Sequence, residues 1–427
     1  MPRRPAIGRL YHHAERLYRR VDGFSPASKT LIALAFVVFA VLLASLPRVV
    51  TAEISHDDLN WVDRSLVPWW FPEPRIMDKS QWSADYIQKY NYAINHPTVG
   101  RIVNRFALHA LGMYDRPTHK WDYKLTRAEN LKLGNFLPSR ITIGLRMVNL
   151  AFFLATAIVA WFGLAYILRN RFLAVVGILP IAFEPAMTTD FRCVVPYIGS
   201  DAVFVFLTVA VWAAWLALGR RGTWGAILLG IFAGLAVSTK VNAAFMVVGL
   251  MLYYAFAATG TRRFSQPLVV LAASVAVFLA LNPIYFGGGW PWAKRVFTDT
   301  LDFMAWIKND KTSAAWAVYT RRETILAAFP CILFAVPVAV LAWRARGAKW
   351  LAPTLLWSLP VIVGNLAFIY MPDPRYSAPI RVAFWVLVAA VSLHTLKALI
   401  GERTEIRARS ASEKPQPVVE PSAGGAR

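Results

Sequence analysis

The densest grouping of side chains able to do chemistry is Ser55-His56-Asp57-Asp58-Leu59-Asn60-Trp61, just past the first long apolar run. Adjacent carboxylates beside a hydrophobic segment are costly unless they face water, a metal or a substrate. A positioned carboxylate is a suitable general base. A divalent cation is also chemically reasonable there, with Asp57 and Asp58 as its oxygen ligands, and the residues leave that question open. His56 reads more readily as a neighbour than as a metal ligand, because histidine is sparse and no HxxxH or HExxH spacing occurs. An Asp-Asp dipeptide is a weak motif, and its plainer reading is a solvated turn at a membrane surface. What favours an acidic centre of a membrane-embedded active site is that other reactive residues can be brought to the same side.

Composition sets the frame for those residues. The 427 residues are 57% hydrophobic with a mean hydropathy of +0.44, and repeated apolar runs approach the roughly 18–20 residues that cross a bilayer. That is a polytopic membrane protein rather than a soluble globule. Many of its 17 Trp fall near expected span ends, where indole rings favour the interface. The formal charge of +22 reads as membrane-bordering loops gathering basic residues, not as nucleic acid binding, since no compact basic domain is present. Cys193 and Cys331 are too few and too isolated for a disulfide framework or a zinc site.

Residues 1–29 carry Arg3, Arg4, Arg9, Arg16, Arg19, Arg20 and Lys29 ahead of the apolar run Leu31–Leu46. The basic region is long for a cleaved leader and the core is near spanning length, so a retained signal anchor with a cytoplasmic N-terminus is expected. Residues 48–140 form a mixed first outer loop that includes Trp69 and Trp70. Within it, after Pro97, apolar residues at Val99, Ile102, Val103, Phe106, Ala110 and Met113 keep a helical period, with Arg101, Asn104, Arg105 and His109 on other faces. This predicts a helix lying in the interface, an ordinary amphipathic helix capping the loop being the alternative.

Further spans are expected at 143–168, 172–189, 200–218, 224–239, 241–259, 266–286, 324–343, 351–370 and 377–399, about ten with the first. Alternate turns hold Arg169 and Arg171, Arg220 and Arg221, Arg262 and Arg263, and Arg344, Arg346 and Lys349, with Arg403, Arg407 and Arg409 after the last span. The other short connections hold single basic residues, so both termini are assigned to the cytoplasm. The tail 401–427, rich in Pro, Ser, Glu and Gly, is expected to be disordered.

This topology gathers the remaining charges on the outer face. The first loop adds His96-Pro97 and Arg101; Asp190, Arg192 and Asp201 flank the third and fourth spans; Lys240 sits at a tight turn. A second large loop, 287–323, is aromatic and basic with Trp290, Trp292, Lys294, Arg295 and Trp306, and Asp373, Arg375 and Tyr376 precede the last span. Each has a plainer reading. Asp201 would cap the helix after it, Asp190 and Arg192 would pair locally, Lys240 would snorkel from a span end, and Arg375 would be an interfacial anchor.

The order of features resembles a family. An N-terminal span is followed by the acidic pair, an HP-x-x-G-basic stretch, a span opening GSDAVFVFLTVAV at 199–211, a G-x-x-x-x-T-K turn at 234–240 and RYSAPIRVAFWVLVA at 375–389. Over roughly 30–400 it looks like the GT-C membrane glycosyltransferases, particularly the branch with protein O-mannosyltransferases and the lipid-A aminoarabinose transferase. The resemblance implies an all-α polytopic bundle with an outward-facing site. It implies transfer of a sugar from a polyprenyl-phosphate carrier to an extracytoplasmic protein, lipid or polysaccharide, in a membrane such as the bacterial inner membrane. It places the catalytic base and site organisation on Asp57 and Asp58, with His96, Arg101, Asp190, Asp201, Lys240, Arg375 and Tyr376 as substrate-binding candidates. Where the mannosyltransferases usually read HPP with a downstream Lys, this chain has His96-Pro97-Thr98 and Arg101.

The chemistry agrees with the resemblance. Displacement needs an activated acceptor hydroxyl, for which Asp57 is the candidate base, and cations on the departing phosphate, for which Arg101, Lys240 and Arg375 are candidates. A single displacement inverts the anomeric centre; retention would need a carboxylate nucleophile. The rival classes are a lipid or sugar transporter, favoured by Pro180 and Glu184 inside the third span, and a prenyl-linked polysaccharide polymerase or ligase, which needs no acidic pair.

Overall fold

A computed structural model describes residues 24–53, 58–66, 98–115, 125–189, 192–219, 221–257, 260–283, 314–367 and 374–412, with 294 and 298. Most of the described residues are helical, with no strand among them. The first helix, α1 (Pro26–Thr51), starts at an N-cap Ser25 whose Oγ accepts from Ser28 N at 3.1 Å, with Pro26 at the first helical position. The shorter helices α2 (Asp58–Leu66), α3 (Thr98–Ala110) and α4 (Arg127–Lys132) follow. α4 opens on a capping box in which Thr126 donates from Oγ1 and N to Glu129, holding that carboxyl below its usual range.

The bundle consists of α5 (Ser139–Leu168), α6 (Arg171–Ala182), the short α7 (Pro185–Thr188), α8 (Asp201–Leu218), α9 (Gly222–Val237), α10 (Ala244–Ala257), α11 (Arg262–Leu281), α12 (Ala314–Leu333), α13 (Ala335–Arg344), α14 (Leu351–Ala367) and α15 (Ala378–Ser412). Five of these helices, α1, α5, α8, α11 and α15, are long and apolar enough to cross a membrane, or six if the pair α12–α13, bent by 43°, is one span. The apolar helices Arg171–Ala182, Gly222–Val237, Val241–Phe256 and Leu351–Leu366 are shorter. A 16-residue helix reaches about 24 Å, less than the roughly 30 Å of a hydrocarbon core. Hydropathy does not register helix breaks, which is why the segment expected as one span over 172–189 is two helices. The residue before a proline is pushed out of the helical region, and Glu184-Pro185 ends α6 and caps α7 instead. At the other extreme, α15 continues through Gly401 to Ser412, into the stretch expected to be disordered. Residues 402–409 are mostly good helix formers, and no proline intervenes before Pro415.

The packing suits a lipid-embedded bundle. Leu31, Phe36, Phe39 and Leu43 of α1 and Phe329, Ile332 and Val336 of α12–α13 are exposed. The interior holds Ser, Thr and Gly, with hydroxyls returned to the carbonyl four residues back, as in Thr156 to Phe152, Thr208 to Phe204 and Thr395 to Val391. Apolar faces this extensive would not be left in water. Small residues allow close helix approach where lipid supplies no hydrophobic drive. Gly230 and Gly234 of α9 lie against the backbone of α11, and a Cβ on Gly234 would stand 2.7 Å from Ser274 O. Ser274 Oγ in turn donates to Gly230 O at 3.0 Å. Not every Trp takes the expected interfacial place: Trp212 and Trp357 are fully buried, 5.6 Å apart, donating to Thr354 Oγ1 and Thr208 O.

A second, smaller core unites Leu59, Trp61, Val62 and Leu66 of α2 with Leu108 of α3, Leu137, Ile141 and Leu145 around the start of α5, and Tyr197 and Ile198. It fastens the described part of the first loop to one end of the bundle. There α3 turns Gly100, Arg101, Asn104 and Leu108 inward and leaves Phe106 71% exposed, so the polar face packs on protein and part of the apolar face looks out. Gly234→Leu is expected to lower stability by about 1–3 kcal/mol or more through overpacking. Gly347→Leu, where a Cβ meets open space, should be near neutral; thermal unfolding of both in one detergent checks this.

Candidate functional site

The break between α6 and α8 builds the site, because it lets residues 192–200 run through the protein as irregular buried chain. Such a segment needs partners for its backbone polar groups, and α5 supplies them. Asn149 Nδ2 donates to Tyr197 O at 2.6 Å, and Arg146 Nε donates to Pro196 O at 2.7 Å. Arg146, 2% exposed, also donates to the end of α1 and the residues after it: Val49 O at 3.4 Å, Ala52 O at 2.8 Å and Glu53 O at 2.7 Å. Its charge faces Asp58 Oδ2 at 3.8 Å, while Asp58 Oδ1 accepts from Ile198 N at 3.3 Å. Asp58 is fully buried. A carboxylate so engaged anchors α2 to the bundle.

Asp201 begins α8. Ser200 occupies the N-cap, so Asp201 is not the cap that its position suggested; its carboxylate reaches sideways. Oδ1 accepts from Lys240 Nζ, and Oδ2 lies 3.9 Å from Arg375 Nε. Lys240 follows the end of α9 in extended backbone, and Arg375 lies in the 3-10 turn Pro374–Tyr376. Asp201 and Arg375 are 5% exposed at their side chains and Lys240 17%. Lys240 therefore turns inward and does not snorkel. Its Nζ also lies 4.7 Å from the Tyr376 ring centre, and Arg375 Cζ sits 3.4 Å over Tyr197. Tyr197 Oη accepts from Trp61 Nε1 at 2.6 Å, which links this cluster to the anchor at Asp58. Two cations to one carboxylate leave these three side chains net positive.

A third polar group ties α3 in. Thr98 N and Oγ1 donate to Asn282 Oδ1 at 2.9 and 2.8 Å, Asn282 Nδ2 donates to Ser238 Oγ at 3.0 Å, and Val99 N donates to Ser238 O at 2.9 Å. Gly100 packs so closely on Ser200 that a Cβ there would collide with it. Arg101 is buried at 3% exposure on the same first turn. Glu184, at the α6–α7 break, accepts from Arg381 Nη1 at 2.9 Å and Trp385 Nε1 at 2.8 Å.

Of the residues singled out above, Asp201, Lys240, Arg375 and Tyr376 come together, and Asp58 and Arg101 lie on the helices beside them. Asp57, His56, His96, Asp190, Asp373 and the tryptophans of the second large loop fall outside the described residues. Among the described residues no group of three or more His, Cys, Asp or Glu is placed to hold a metal. Tyr197, Arg146, Asn149 and Asn282 are components that sequence reasoning passed over. Arg146 and Asn149 had a signal: polar side chains three apart near the start of an apolar helix need a partner. Tyr197 had none, being one aromatic in an aromatic-rich chain.

No family model matches the chain, and no curated protein matches it. Solved structures of the oligosaccharyltransferase of Archaeoglobus fulgidus align with it. One is tethered to an acceptor peptide containing the NVT sequon, at 11% identity and TM-score 0.43, over 84% of this chain and 49% of the other. A second is a complex with zinc and sulfate, at 12%, 0.44, 87% and 51%. A third holds an inhibitory peptide and a dolichol-phosphate, at 12%, 0.43, 91% and 52%. This chain thus spans about half the length of each. Similarity this remote does not establish a common fold or activity.

Asp201→Asn removes the carboxylate that Lys240 and Arg375 share and should be the most damaging single change in the cluster, since breaking a buried ion pair costs about 3–5 kcal/mol. Adding Lys240→Gln should recover part of the loss, a coupling of about 1–3 kcal/mol in a double-mutant cycle on thermal stability. Additive losses would show that the pair does not interact.

Proposed function

We propose that the chain is an integral membrane glycosyltransferase of the GT-C kind that moves a sugar from a polyprenyl-phosphate carrier to an extracytoplasmic acceptor. One observation carries the reading. Lys240 and Arg375, brought from distant parts of the sequence, converge with Asp201 and Tyr376 at the end of the bundle where Asp58 anchors the acidic loop. A net-positive, largely buried cluster beside a carboxylate-bearing loop suits a reaction in which a phosphate leaves and a hydroxyl attacks.

In this proposal Asp57 removes the acceptor hydroxyl proton, the oxygen attacks the anomeric carbon, and the bond from that carbon to the phosphate oxygen breaks. The electron pair leaves with the phosphate, whose added charge Lys240 and Arg375 stabilise, and the anomeric centre inverts. Asp58 holds the loop in place through Arg146, Asp201 keeps the two cations together before donor arrives, and Arg101, Tyr376, His96 and Asp190 complete the substrate surface. Residues 30–400 form the transferase domain, with the site on the non-cytoplasmic side of a plasma membrane and both termini in the cytoplasm. Of the two residues that favoured a transporter, Pro180 lies inside α6 and Glu184 has a structural task as cap of α7 and partner of Arg381 and Trp385.

The test is transfer by purified protein from a panel of synthetic radiolabelled polyprenyl-phosphate sugars. Asp57→Asn should reduce turnover at least about 100-fold, the lower end for general-base removal, in a protein that remains folded. Lys240→Ala and Arg375→Ala should also weaken transfer, and Arg375→Lys should not restore it, because a point charge does not replace a planar fork. Movement of donor across vesicles without transfer would replace this reading with a transporter.

A further inference from the structure

Glu184 carries a charge that the proposed reaction does not use, buried at 4% exposure where α6 breaks. An ion pair in such surroundings contributes little net stability, and an ionisable group among membrane helices marks a task. Its contacts on two sides show what that task is. On its own side, Glu184 Oε1 accepts from Ala186 N at 3.3 Å and caps α7. The carbonyls of α7 then hold the irregular segment that follows. Cys193 Sγ donates to Pro185 O at 3.3 Å, Val194 N to Ala186 O at 3.2 Å and Val195 N to Met187 O at 2.9 Å. Tyr197, the ring beneath Arg375, comes two residues later, its N–H donating to Cys193 O at 3.1 Å.

On the other side, Ser377, Arg381 and Trp385 fall four residues apart and share one face at the start of α15. Arg381 Nη1 donates to Glu184 Oε1 at 2.9 Å, and Trp385 Nε1 donates to Oε2 at 2.8 Å. A second arm of the same guanidinium runs back toward the cation cluster. Arg381 Nε donates to Ser377 Oγ at 3.1 Å, and Ser377 Oγ donates to Pro374 O at 2.8 Å. Pro374 opens the 3-10 turn that presents Arg375, and that turn packs on α7. Two paths thus leave one carboxylate and rejoin where Arg375 Cζ lies 3.4 Å over the Tyr197 ring. Slack in either path would alter that placement, and a misplacement of about 1 Å can cost about 100-fold in rate. We infer that Glu184 and Arg381 are positioning residues that set Arg375 against Tyr197; the consequence for turnover rests on the phosphate role proposed for Arg375.

Hydrogen–deuterium exchange of full-length protein in detergent, without substrate, tests the placement. Glu184→Gln keeps the size of the side chain but gives up its charge and one acceptor oxygen. It should speed exchange at least about fivefold in both 192–200 and 374–381 while leaving α9 and α11 unchanged. Ser377→Ala should speed exchange in 374–381 alone. Arg381→Lys, an ammonium in place of a fork, should repeat the Ser377→Ala pattern, which keeps the test decisive where Glu184→Gln does not fold. Faster exchange in only one segment under Glu184→Gln, a rise throughout the bundle, or no change in 374–381 under Arg381→Lys would overturn the inference. Transfer kinetics ask whether the placement acts through Arg375. Glu184→Gln should lower turnover about tenfold, yet less than about twofold when added to Arg375→Ala, because groups acting as a unit are not additive. Equal losses in the two backgrounds would overturn it as well. Loosening of both segments in a protein that transfers no sugar from any donor would keep the placement and remove the enzyme reading.

Discussion

A guanidinium buried near the start of α5 ties together three parts of the chain that are far apart in sequence. Arg146 collects the carbonyls that α1 leaves unpaired at its end, a carbonyl of the irregular 192–200 segment, and the carboxylate that opens α2. Helix ends always leave such carbonyls, and water is their usual partner. Here a single planar cation with a fixed fork of donors replaces water and brings with it a charge that must be matched. Asp58 is the match. α2 and α3 are therefore fixed to the bundle by electrostatics as well as by the small apolar core around Trp61 and Leu108.

The rest of the site inherits that fixation. Tyr197 receives the Trp61 N–H on its hydroxyl and offers its face to Arg375, so one aromatic side chain serves both the loop and the cation cluster. Arg375 and Lys240 then share Asp201. The irregular segment that carries Tyr197 exists because Glu184-Pro185 stops α6 after 12 residues, trading part of a membrane crossing for a buried strip of backbone that can be shaped. Such broken helices are tolerated inside a membrane protein where neighbouring groups complete the freed backbone hydrogen bonds.

Helix positions were legible in the chain because apolar runs and basic turns are local signals, and the apolar helices fall where those runs lie. Their lengths were less so, since Pro185 ends one early and the hydropathy average passes over it. Of the site, Asp201, Lys240 and Arg375 could be nominated from their place at helix ends, but not their union in one ion cluster, because nothing local relates residue 201 to residue 375. The sense of α3 was readable only in part. Its period marks two faces, yet polarity alone would bury Phe106 and expose Asn104, and the structure does the reverse because the polar face packs on protein. Arg146 is the case where an intramembrane charge, taken as a signal in itself, would have led directly to Asp58.

The junction of Thr98, Ser238 and Asn282 also bears on mechanics. Thr98 is where α3 begins, and Asn282 caps the end of α11. The start of α3 and the end of α11, 184 residues apart in sequence, are thus rooted in the same side-chain amide. Chain segments tied at a common root cannot be displaced there independently: a shift of one strains hydrogen bonds that the other requires. α3 and α11 consequently share one fixed point beside Lys240, since Ser238 belongs both to this junction and to the turn that presents that lysine.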